Sequence, residues 1–128
     1  MSFKFKLNNV KQDYNIGAWM YDSSVQRVPL KCSGNLVESD ANHLVENDYS
    51  YNYHNIDDAW MVLPGYKLIV CTGVSGAGTQ YTLDNTDGST TLFRSLGTTV
   101  PDFVKSPNTI RSVLLYYRGV YVPHSGNV

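Results

Sequence analysis

Apolar and polar positions alternate along much of the chain, and the dominant period is two. Phe3, Phe5 and Leu7 alternate with Lys4 and Lys6, the pattern of a half-buried strand. Strands are also predicted over 18–21 and 25–30, around a turn at Asp22-Ser23-Ser24. The apolar run 60–63 stops at Pro64-Gly65, and 66–71 follows with Tyr66, Leu68 and Val70 on one face. Segments 80–83 and 90–93 come next, and 112–117 with 120–122 flank Arg118-Gly119 as a hairpin. β-Branched and aromatic residues dominate these runs, which suits a pleated surface. Turn chemistry separates them, notably Gly73 through Gly78, Asp84-Asn85-Thr86-Asp87-Gly88 and Ser106-Pro107-Asn108. Helical periodicity is nearly absent. Its best candidate is 34–46, where Leu36, Val37, Leu44 and Val45 share a face and Ser39 and Asp40 offer a cap. That stretch is expected to give one or two helical turns at most. The pattern predicts an all-β chain folded as a two-sheet sandwich.

The 128 residues suit one domain, expected over 1–122, with 123–128 as a tail. Ten basic and eleven acidic residues are spread along the chain, for a net charge of -1. No basic stripe is present, so nucleic acid is not an expected partner. The apolar run Leu68-Ile69-Val70-Cys71 is far short of the roughly 20 residues of a membrane-spanning helix, so no membrane insertion is expected. The lysines near the N-terminus are followed by no continuous apolar stretch, so no signal peptide is expected either. Cys32 and Cys71 belong to no CxxC pair and have no histidine beside them, which argues against zinc. Reduced buried thiols are the expectation, with a disulfide left open.

The stretch 57–117 resembles a βγ-crystallin Greek key. Trp60-Met61-Val62-Leu63-Pro64-Gly65-Tyr66-Lys67-Leu68-Ile69-Val70 looks like the exit from one key, a Pro-Gly corner and the first strand of the next. Gly78 looks like the glycine over which that family folds its hairpin. Asn108-Thr109-Ile110-Arg111-Ser112-Val113-Leu114-Leu115-Tyr116 looks like the closing element. The likeness implies a double Greek key, with keys near 3–63 and 66–122 and the first hairpin near Tyr14-Asn15-Ile16-Gly17. It is similar to small βγ-crystallin-like proteins of large DNA viruses. That implies a minor capsid or virion component without enzymatic activity, located in the virion or the cytoplasm. Its partners would be other structural proteins, in a homo- or hetero-oligomer.

The family's calcium motif pairs two Asp/Asn with two Ser/Thr. Asn108-Thr109 with Ser112-Val113 keeps part of it, and Asp57-Asp58 keeps the acidic pair with Met61-Val62 in place of hydroxyls. Asp57, Asp58, Asn108 and Ser112 are thus weak calcium candidates in a chain otherwise expected to need no cofactor, because calcium wants six to eight oxygens. A calcium-binding module is one alternative function. Asp57 and Asp58 are otherwise expected in a solvated turn, and 84–88 as a turn with positive φ at Gly88. His43, His54 and His124 form no recognisable nucleophile–base set, and Gly73 through Gly78 lacks the Lys-Ser/Thr of a phosphate loop. The tyrosines carry more information. Tyr49, Tyr51 and Tyr53 alternate, so a strand there would present three rings on one face, and Tyr116, Tyr117 and Tyr121 gather at the C-terminal hairpin. Such rings bind proteins or glycans, or simply ladder a sheet. Tyr49, Tyr51, Tyr53, Tyr117 and Tyr121 are the candidate contact residues, and a carbohydrate-binding module is the other alternative. Trp19 and Trp60 are expected in the core.

Overall fold

The structure, a computed structural model, describes residues 16–23, 27–32, 36–37, 57–97, 100–105 and 109–122. These residues form β1 (Ala18–Asp22), β2 (Arg27–Cys32), β3 (Leu36–Val37), β4 (Ala59–Val62), β5 (Tyr66–Cys71), β6 (Gln80–Asp84), β7 (Leu92–Ser95), β8 (Ser112–Tyr117) and β9 (Val120–Tyr121). One sheet has the order β2-β1-β4-β7; the other has β3-β8-β5-β6, with β9 also beside β8. Every pairing is antiparallel. Among the described residues, helical backbone is confined to short 3-10 turns at Val74–Gly76 and Asp102–Lys105 and to Thr109.

The period of two turns each strand into an inner and an outer row. Ala18, Met20, Leu30, Cys32, Trp60 and Val62 of the first sheet meet Leu68, Val70, Leu83, Val113 and Leu115 of the second in one core. The connection from β7 to β8 closes it with Leu96, Val100, Val104 and Ile110. Trp60 Nε1 donates to Val104 O at 2.9 Å, so the indole nitrogen is satisfied inside the core. Arg94 Nη1 donates to Tyr81 Oη at 2.6 Å, joining β7 of one sheet to β6 of the other. Trp19 faces the other way, into a second cluster with Ile16, Tyr21, Met61 and Leu63. Pro29 lies in β2, which is at the edge of its sheet among the described residues, where a missing N–H costs no central ladder bond.

β1–β4 and β5–β8 follow one plan. The first two strands form a hairpin, the third joins the opposite sheet, and the fourth returns beside the first. Each quartet is a Greek key with its third strand exchanged. The corner between them is Pro64-Gly65, where Gly65 takes φ +92 and its N–H donates to Asn85 O at 2.9 Å.

Several local expectations are corrected. Leu36 and Val37 are not helical; they pair antiparallel with Val113 and Ser112 of β8. Two residues carry too little periodicity to announce a strand, and an available flank of β8 decided their state. Residues 38–46 of that candidate lie outside the described residues, as do the strand expected around 3–7 and the tail 123–128. Gly17 is not at the first hairpin, because the β1–β2 turn follows Asp22 at the opposite end of β1. Gly17 instead bridges β2 and β4: its N–H donates to Cys32 O at 3.0 Å and its carbonyl accepts from Leu63 N at 2.9 Å. Gly88 is not among the glycines with positive φ. It is required for a different reason: a Cβ there would land on Asn85 Oδ1. That amide is buried and donates through Nδ2 to Val62 O and Thr90 O, both at 2.9 Å. Cys32 and Cys71 are free. Cys32 faces the core, whereas Cys71 alternates with Val70 and lies on the outer side of the second sheet.

Candidate functional site

The β8–β9 hairpin turns on two residues, Arg118 at φ 50 and Gly119 at φ 85. Two positive φ values make the tight turn whose twist matches its strands. Tyr117 then pairs with Val120, and Tyr116 with Tyr121. Alternation sends the first pair to one face and the second to the other.

On the outer face, Asp84, Lys67, Tyr116 and Tyr121 form one row across β6, β5, β8 and β9. The Tyr116 and Tyr121 rings meet edge to face, with centroids 5.7 Å apart and planes at 74°. Lys67 Nζ stands 5.0 Å from the Tyr116 centroid, in range of the ring's negative face. Asp84 accepts from the hydroxyl and the N–H of Thr86, and these bonds hold its carboxyl below the usual range, with Lys67 adding to the effect.

On the opposite face, Tyr117 packs on Tyr66 with centroids 4.7 Å apart. Both rings lie against glycines. A Cβ on Gly17 would be 2.5 Å from the Tyr66 ring, and one on Gly65 would be 2.6 Å from the Tyr117 ring. Arg118 lies over Tyr117, its Cζ 5.4 Å from the centroid, and its Nε donates to Tyr117 Oη at 3.1 Å. Burial, and then the neighbouring Tyr117, push the Tyr66 phenol up. Tyr117, Val120 and Tyr121 are 40%, 66% and 49% exposed.

Of the residues singled out in the sequence, Tyr117 and Tyr121 come together in this hairpin. Tyr49, Tyr51, Tyr53 and Asn108 lie outside the described residues, as do the three histidines. Asp57 is exposed, but Asp58 is buried and does not sit in a solvated turn. Asp58 Oδ1 accepts from Ser23 N at 3.2 Å and Ser23 Oγ at 3.4 Å, fixing the β1–β2 turn to the start of β4. Ser112 is also buried, and its Oγ donates to Gly73 O at 2.6 Å and accepts from Gly76 N at 3.0 Å. Its hydroxyl therefore holds the β5–β6 connection. Among the described residues, no three or more His, Cys, Asp or Glu are grouped to hold a metal ion.

The sequence reading missed Tyr66, Lys67 and Arg118 as members of this surface. Tyr66 and Lys67 reach it only through the register of β5 against β8, which pairs them with Tyr117 and Tyr116. Among the described residues, no helix is long and apolar enough to cross a membrane. No family model matches the chain, and neither a curated protein nor a solved structure matches it.

Proposed function

We propose that this chain is a non-enzymatic structural protein that docks onto neighbouring proteins through its C-terminal hairpin. The observation that carries the reading is an aromatic hairpin with both faces open to solvent, Tyr117, Val120 and Tyr121 being 40%, 66% and 49% exposed. Tyrosine and arginine dominate the energetically important contacts of protein interfaces, and Arg118 stands over Tyr117 here. The plan of the fold is βγ-crystallin-like in this proposal. The exchanged Greek keys support it, and so does Gly78, which takes φ +83 within the β5–β6 connection. The setting, a minor component of the shell of a large DNA virus, rests on the resemblance of 57–117 alone. A small adaptor with a net charge of -1 suits that setting, since it carries no strong charge to repel either sign of neighbour.

The test compares wild type with a Lys67→Ala/Tyr121→Ala double variant by sedimentation of the native assembly. Loss of co-sedimentation with unaltered thermal unfolding is expected. Retention of the double variant at wild-type level removes this hairpin from the interface.

A further inference from the structure

The connection between β5 and β6, residues 72–79, does not run out into solvent. It folds back over the outer side of its own sheet, where the turn at Val74–Gly76 contacts β3, β5 and β8. Its tightness is built in. Gly73 N donates to Ala77 O at 2.9 Å, Thr72 N donates to Thr79 O at 3.0 Å, and a Cβ on Gly78 would strike Thr72 Oγ1. Its surface is largely open: Val74, Ser75, Ala77, Gly78 and Thr79 are all exposed. Ser75 stores strain as well, at φ 56 without being glycine.

Two side chains hold this segment down, and both grip the same residue. Gly76 N donates to Ser112 Oγ at 3.0 Å, and Gly76 O accepts from Gln80 Nε2 at 2.8 Å, while Ser112 Oγ also donates to Gly73 O at 2.6 Å. Ser112 and Gln80 are the cross-strand partners of Cys71, one on each side. They flank its thiol, which is fully buried on this outer face. Leu114 completes the floor, its Cδ1 lying 3.1 Å from where a Cβ on Gly76 would be.

We infer that residues 73–79 form a strap that opens independently of the sandwich, with Ser112 and Gln80 as its latch, and that this opening controls access to Cys71. A segment with exposed backbone, little apolar anchorage and a few polar latches belongs to the low-stability end of a fold. Cys32 supplies the internal contrast. It sits inside the core formed by both sheets, so a reagent reaches it only when the sandwich itself opens.

Labelling of the intact chain with N-ethylmaleimide, followed cysteine by cysteine by mass spectrometry, tests this inference. Cys71 is expected to react at least about tenfold faster than Cys32 under native conditions. Ser112→Ala removes two latch bonds, to Gly73 O and Gly76 N, and is expected to speed Cys71 by at least about tenfold, with Cys32 unchanged. Gln80→Ala, at an exposed position, is expected to speed Cys71 by a few-fold at an unaltered melting temperature, and it decides the matter if Ser112→Ala fails to fold. One common rate for both cysteines would show that the strap opens only with the whole fold. A Cys71 rate insensitive to both substitutions would show that the strap is not what limits access. Either result overturns the inference.

Discussion

Two tyrosine pairs share the C-terminal end of the second sheet and have opposite surroundings. Tyr66 and Tyr117 lie on glycines, with Gly17 and Gly65 leaving room for their rings. Tyr116 and Tyr121 lie on an open sheet face beside Lys67 and Asp84. The first pair closes the end of the sandwich, so its rings contribute to the fold. The second rests on an open sheet face, the one that the proposed function turns toward a partner. One residue type on one hairpin thus has two physical roles, and the neighbouring backbone decides which.

The largest effect should come from filling the space beneath the first pair. Gly65→Ala puts a Cβ 2.6 Å from the Tyr117 ring at φ +92. It is expected to lower stability by about 2–4 kcal/mol, measured by urea denaturation. A loss under about 1 kcal/mol would mean that Tyr117 is free to move aside.

The comparison is next broken ring by ring. Tyr117→Ala should cost about 2 kcal/mol, because it removes a half-buried aromatic contact. Tyr121→Ala should cost under about 1 kcal/mol, because its ring is half exposed and its partner ring stays in place. Equal costs would erase the distinction between the pairs.

The two pairs should also respond to opposite ends of the pH scale. The Tyr66 phenol is pushed up by burial, so its contribution is complete below its ordinary value of about 10. That contribution is lost as pH rises from there through the raised folded value. Asp84, in the outer row, is held low by Thr86. Its contribution is complete above its unfolded value of about 3.9 and is lost as pH falls through the lower folded one. Tyr66→Phe should flatten the alkaline limb of a stability–pH curve alone, and Thr86→Val the acid limb alone. Asp84 is almost fully solvated, so the acid effect should be the smaller.

The smallest effect concerns the turn that presents both pairs. Arg118 sits at φ 50, where asparagine is tolerated better. Arg118→Asn should shift the denaturation midpoint slightly upward while loosening Tyr117. A downward shift would show that the stack of Arg118 on Tyr117 outweighs the backbone gain.

Strand existence was legible because each strand half-buries itself, and burial on one face writes alternation into the chain. Residues 66–71 and 112–117 were readable to the residue, and other strands shifted by up to two. Leu36–Val37 was not readable, since a two-residue strand exists only through its pairing with β8. Gly88 was read correctly as obligatory and for the wrong reason, because the approach of Asn85 is a contact across a loop rather than a local dihedral preference. Asp58 looked like a solvated turn residue because its partner, Ser23, is 35 positions away.

By itself the sequence determined the class of the fold, the places where the chain must turn and the residues able to face a core. Those properties depend on neighbours along the chain. Which sheet each strand joined, which tyrosine became cement and which stayed open, and what Cys71 and Ser112 face were decided only in three dimensions. Each depends on strand register, and a shift of one residue would send every side chain to the opposite face.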